Sequence, residues 1–131
     1  MDTASDCGRE FVGALAAQDF ARLARCLAAD LDFHAVIPAE DPFRERSSGD
    51  ETAELIGQWF GDARPLELLD SSVDEIADRV RIVYRFAAYE QETWHVVEQR
   101  AFAEVADGKI VKLDLVCSGF RPVAERPFVH A

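Results

Sequence analysis

Cysteine and histidine are scarce in this chain, and long apolar runs are missing. The cysteines are Cys7, Cys26 and Cys117, an odd count with no CxxC pair. Neither a disulfide framework nor a structural zinc site is expected from them. They read as reduced thiols, at least two of them buried as small hydrophobes. The histidines, His34, His95 and His130, are scattered with no HxxxH spacing, so no metal site is expected. GxGxxG, P-loop and GxSxG motifs do not occur. Nucleotide binding and serine-hydrolase chemistry therefore have no support, and no cofactor is expected.

No apolar run approaches the ~20 residues that a membrane span needs. The stretch from Met1 to Asp6 is acidic and has no apolar core, so it does not read as a signal peptide, and the expected address is the cytoplasm. Basic residues are the minority: 14 Lys and Arg stand against 25 Asp and Glu, a formal net charge of -11. Such a surface repels phosphate backbones and anionic headgroups, which argues against nucleic-acid and membrane partners.

What is present is a globular composition, 49% hydrophobic and 30% charged over 131 residues, enough for one domain with one core. A first helix is predicted over 6–18, with Phe11 and Leu15 facing the core. Asp19 is placed to cap a second helix over 20–29, where Phe20, Leu23, Ala24 and Leu27 form one apolar stripe. A short strand follows over 31–37, stopped by Pro38. Residues 38–49 read as a loop. Ser48 and Glu51 match a capping box, with Asp50 a rival cap, for a third helix carrying Leu55, Ile56, Trp59 and Phe60 and ending at Gly61.

From Pro65 the period changes to two. A less clearly patterned strand is expected over 65–76. Val80, Ile82, Tyr84 and Phe86 then alternate with Arg79, Arg81, Val83 and Arg85. After a turn at 90–92, a long strand runs over 93–105. Asp107-Gly108 signals a tight hairpin, and a last strand runs over 110–118. Residues 121–131 read as a flexible tail. Helices with apolar stripes must cover one face of the sheet. The other face carries Arg79, Arg81, Arg85, Lys112 and Asp114 and is expected to be solvated or partly used in a dimer.

The carrying residues for a family resemblance are Phe11-Val12-Gly13-Ala14-Leu15 with Asp19-Phe20, the helix from Glu54 to Phe60, and Val105-Ala106-Asp107-Gly108-Lys109-Ile110-Val111-Lys112-Leu113. With these segments in this order, the chain resembles the nuclear-transport-factor-2-like superfamily, the SnoaL-like and ketosteroid-isomerase-like cone fold, over nearly its whole length. The resemblance implies an α+β cone, with a curved antiparallel sheet packed against three N-terminal helices. It also implies a pocket between sheet and helices, and a homodimer. It implies no single reaction, because that superfamily holds isomerases, cyclases, dehydratases, epoxide hydrolases and non-enzymes. Many of its catalytic members carry an acidic residue on the cavity side of the last strands. Here Asp114 alternates to the opposite face from Val111, Leu113, Leu115 and Cys117.

The candidate pocket is built from Trp59, Phe60, Phe86, Gln99, Leu113, Leu115 and Cys117, with His34, His95 and Tyr84 as candidate catalytic groups. His34 lies near the mouth, where an imidazole could serve as a general base. Its register with Asp32 and Val36 points it outward, away from Leu31, Phe33, Ala35 and Ile37. Tyr84 shares the inner face and can donate to a carbonyl or developing oxyanion, or simply fill the core. On the long strand, His95, Val97, Gln99, Ala101, Ala103 and Val105 are assigned inward. A bulge would instead bring in Glu98 and Arg100, which otherwise form a solvated ladder with Arg81 or Arg85. Cys117 reads as an inert buried thiol. Two functions stay open: a small-molecule pocket protein acting on a small apolar substrate, with isomerase, cyclase or dehydratase turnover, or a non-catalytic ligand-binding or dimeric interaction module.

Overall fold

The computed structural model describes residues 3–128. Among them, α1 (Ala4–Ala16), α2 (Phe20–Cys26) and α3 (Gly49–Phe60) pack on one face of a sheet. Its strands are β1 (Leu27–Val36), β2 (Phe43–Arg46), β3 (Leu66–Ile76), β4 (Arg79–Glu90), β5 (Thr93–Ala106), β6 (Lys109–Cys117) and β7 (Arg121–Val123). Along the sheet the order is β2-β1-β6-β5-β4-β3, with β7 on β5 beyond the end of β6.

Strands β3 to β6 form the expected antiparallel meander. The hairpins turn where the sequence places them. Gln91 and Glu92 both take positive φ, and so do Asp107 (53°) and Gly108 (75°), as a two-residue turn matching the twist of its strands requires. The sheet is not wholly antiparallel, however: β1 runs parallel to β6, Phe33 opposite Leu113 and Ala35 opposite Leu115. Register shifts interrupt β3–β4 at Leu68/Asp70 and β5–β6 at Glu104/Val105. Bulges of this kind bend the strands and strengthen the sheet's twist.

Local chemistry sets the helix ends. Thr3 and Asp6 form a reciprocal capping box that starts α1. Asp19 accepts from the Arg22 backbone N–H at the head of α2, and Ser48, not Asp50, accepts from Glu51 N–H at the head of α3. Helix α1 ends earlier than predicted because Gln18 turns to φ 53°. Its side-chain amide instead donates to the carbonyls of Phe60 (2.8 Å) and Ala63 (2.9 Å), closing the end of α3.

Three expectations need correction. Helix α2 stops at Cys26 rather than continuing to 29, because Leu27 already pairs with Ile110 in the sheet. Sheet pairing overrides the apolar stripe there. The segment 38–49 is not wholly loop, since Phe43–Arg46 pair with β1. That edge strand buries none of its side chains, so no alternation betrays it. The tail is anchored: Arg121–Val123 pair with Val96, His95 and Trp94. Proline sits there because β7 is an edge strand, where a missing N–H costs nothing in the ladder. Arg126 then reaches Glu67 and lies 5.2 Å from the Trp94 ring centroid. Residues 129–131, and His130 with them, lie outside the described residues.

Candidate functional site

Alternation along β4, β5 and β6 fills the inner face. Val80, Ile82, Tyr84 and Phe86 of β4 lie beside Val97, Gln99, Ala101 and Ala103 of β5 and Leu113, Leu115 and Cys117 of β6, all buried. The inward register of β5 is therefore the one alternation assigns. Glu98 and Arg100 stay outside, with Glu98 accepting from Arg85 (2.8 Å) and Arg100 (2.9 Å). The Arg100 guanidinium, with Arg85 behind it, holds the Glu98 carboxyl below its ordinary range.

Cross-strand register places Tyr84 opposite Gln99, and Gln99 opposite Cys117. The Tyr84 hydroxyl donates to Gln99 Oε1 at 2.5 Å. Tyr84 is 1% exposed and Gln99 0%, so both polar groups are sealed from solvent. Burial pushes the Tyr84 hydroxyl well above its ordinary value, which keeps it a neutral donor. Its proton is committed to Gln99. The group left to act on anything else is the Gln99 amide nitrogen, which is buried and has no hydrogen-bond partner. Nδ1 of His95 is likewise buried and unpartnered.

Around this pair the walls are aromatic. Phe11 lies 6.0 Å from Tyr84 between ring centroids and Phe86 lies 5.7 Å from it. Phe60 packs on Phe86 at 5.6 Å and on Phe120 at 5.3 Å. The inner face is thus tightly covered by α1 and α3. Thr52 and Gln99 are the buried polar residues among those described, so no carboxylate is buried with them. Towards the end of the sheet, where β6 gives way to β7, His95 and Phe120 are only half-buried.

Of the sequence candidates, Phe60, Tyr84, Phe86, Gln99, Leu113, Leu115 and Cys117 come together in one core. Trp59 packs on its margin, half-buried. His95 lies on the same inner face, four residues from Gln99 and opposite Ala88. His34 does not join them. It projects from the outer face, where Nε2 lies 2.8 Å from Asp32 and Nδ1 lies 3.4 Å from Glu45. The strand period that buries Phe33 and Ala35 turns it out. Asp114 is also outside, 3.8 Å from Arg79. Among the described residues no cluster of three or more His, Cys, Asp or Glu could hold a metal ion, and no helix is long and apolar enough to cross a membrane.

Sequence reasoning missed a groove of about 510 Å³ on the outer face, lined by Val36, Phe43, Phe102 and Val116 among charged neighbours. The signal was available in Phe102 and Val116, which alternate away from the core.

No protein-family model matches the chain, and no curated protein matches it in sequence. Solved structures match it in fold. IdmH of Streptomyces antibioticus, a candidate polyketide cyclase, is 15% identical at a TM-score of 0.74, over 89% of this chain and 93% of its own. An LEH-like epoxide hydrolase of M. tuberculosis is 20% identical at 0.66, over 88% and 82%. An NTF2-like protein of Cytophaga hutchinsonii is 15% identical at 0.61, over 92% and 91%. Identities this low establish architecture and leave activity to the site itself. The chain has the α+β cone fold of the NTF2-like and ketosteroid-isomerase-like structures.

Proposed function

We propose that the inner face of the sheet binds a small, largely apolar molecule through one hydrogen-bond acceptor, received by Gln99 Nε2. The carrying observation is the unpartnered amide nitrogen, sealed in an otherwise apolar interior. A buried donor left without a partner costs about 1–3 kcal/mol. A ligand carbonyl or ether oxygen removes that cost, and the Tyr84 hydroxyl holds the amide so that its nitrogen, not its oxygen, is presented. Access is from the end where β6 gives way to β7, beside the half-buried His95 and Phe120, and requires Phe60 and Phe120 to part.

Acid-base turnover, as in an isomerase, cyclase or dehydratase, needs a base. His34 is outside and Tyr84 is held neutral, so in such a reaction His95 takes the proton. Binding is tested with an alicyclic ketone and its exocyclic-methylene analogue, read by tryptophan fluorescence. The ketone binds about tenfold more tightly, and the preference disappears in Gln99→Leu and in the shape-matched pair Tyr84→Phe with Gln99→Leu. Equal affinity of the wild type for both molecules, or no binding of either, overturns the reading.

A second reading concerns the outer face. Phe43 (67% exposed), Val116 (58%), Phe102 (43%) and Val36 (41%) form an apolar patch there. Arg44 and Arg100 flank it with Glu45 and Asp114, so opposite charges mix locally on a chain of net charge -11. That balance suits a second copy of the same surface, each arginine meeting the other copy's carboxylates.

A further inference from the structure

We propose that the free edge of β3 takes up an extended basic segment of a partner protein as an added strand, with cations alternating with apolar residues along it. The sheet ends on β2 at one side and on β3 at the other, and the two edges are finished differently. At β2, the Pro42 carbonyl accepts from Ile37 N–H (2.8 Å), so alternation turns the carbonyls of Phe43 and Glu45 outward. Arg44 donates to the first (3.1 Å) and Arg46 to the second (2.7 Å), so this edge closes itself.

Nothing closes β3 in that way. Ser118 N–H donates to the Glu98 carbonyl (2.9 Å), which turns Glu98 away from β4 and makes Gln99 and Tyr84 the bonded pair. Alternation then points Arg85, Val83 and Arg81 at β3, where they meet Asp70, Ser72 and Asp74. The backbone groups of Ser71, Val73 and Glu75 are left pointing off the sheet. Among the described residues no hydrogen bond reaches them. Residues 70–76 are exposed apart from Val73, whose half-buried side chain lies against Gly8 of α1 on the inner face.

Charge selects the occupant. Strand β3 carries Glu67, Asp70, Asp74 and Glu75 and no Lys, Arg or His. Arg126 takes Glu67 and Arg81 takes Asp74 (3.2 Å), while Asp70 and Glu75 have no ion-pair partner among the described residues. The other arginines behind this edge are already engaged, Arg79 with Asp114 (3.8 Å) and Arg85 with Glu98 (2.8 Å). A second copy of β3 would double the carboxylates along one seam and bring no cation to them. A basic strand, lying about 4.8 Å away, sets its cations beside Asp70 and Asp74 on the outer face and its apolar residues beside Val73 on the inner.

The test titrates a peptide of alternating lysine and valine, as long as β3 and blocked at both ends, against the protein at low salt. The same peptide with glutamate for lysine is the control. The lysine peptide binds and loses affinity as salt rises, and the glutamate peptide does not bind. At saturation the amides of Ser71, Val73 and Glu75 become protected from hydrogen exchange, while those of Ser72 and Asp74, already bonded to β4, change little. Asp70→Lys weakens binding about tenfold. Ser71→Pro abolishes it and keeps the fold, since proline is tolerated where a strand's N–H points off the edge. No binding of the lysine peptide, binding without protection of the three outward amides, or equal affinity in Ser71→Pro overturns the proposal. Should Ser71→Pro fail to fold, the exchange pattern of the wild type decides by itself.

Discussion

Tyr84 and Gln99 act as a unit at the residue scale. Removing the Tyr84 hydroxyl strands the Gln99 oxygen in the core, and removing the Gln99 amide strands the hydroxyl. Tyr84→Phe and Gln99→Leu are each expected to cost about 1–3 kcal/mol in urea unfolding. The double variant replaces both partners by apolar groups, so its cost falls well below the sum of the single ones. Strict additivity would mean that the 2.5 Å contact contributes nothing. A period of two along β5 is enough to assign Gln99 inward from the sequence. The partnership with Tyr84 is not legible there, because it depends on which residue of β4 stands opposite, and hairpin register is set across the turn at Gln91 and Glu92. His34 is the simpler case. Its outward register can be read from Leu31, Phe33 and Ala35, and the structure places it on the outer face.

The elements are held by their ends as much as by their faces. Asp6 is held at about 2, below its ordinary 3.8, chiefly by its bond from Arg9 and then by the Thr3 cap. A folded-state value below the unfolded one gives stability that is fully present above the ordinary value and is lost as pH falls from about 3.8 towards 2. Asp6→Asn is therefore expected to lower stability at neutral pH, and the gap from wild type should close through that acid window. A constant gap would contradict the cap's role. At the head of α3, a Cβ on Gly49 would lie 2.6 Å from the Ala28 carbonyl oxygen and 2.9 Å from Leu27 Cβ. Backbone cannot yield there cheaply, so Gly49→Ala is expected to destabilise by about 1–3 kcal/mol in chemical denaturation. An unchanged midpoint would show that α3 can shift on β1. Strong periodicity makes β4, β5 and β6 readable. Strands β2 and β7 escape because each is short, unburied and defined only by its hydrogen-bonding neighbour.

For the whole molecule, the order of elements is enough to indicate helices on one face of a meandering sheet, and the cone is what the family resemblance adds. The parallel pairing of β1 with β6 is not indicated, since contacts so distant in sequence leave no local mark. Nor does the pattern of residues reveal that Phe11, Phe60 and Phe86 close over the inner face, which depends on how far each helix approaches. The outer patch makes its own prediction. Sedimentation should show a dimer that Phe102→Glu converts to monomer without loss of fold, as an added charge opposes burial of the patch. A wild-type monomer at high concentration would remove the second reading.

The most direct test of the ligand site is the side-chain amide of Gln99 itself, followed by ¹H–¹⁵N resonance spectroscopy and assigned by its loss in Gln99→Leu. On titration with the alicyclic ketone this signal should shift and saturate, while the methylene analogue leaves it in place. A Gln99 amide signal that stays fixed as the ketone saturates the protein would place the ligand elsewhere and contradict the account.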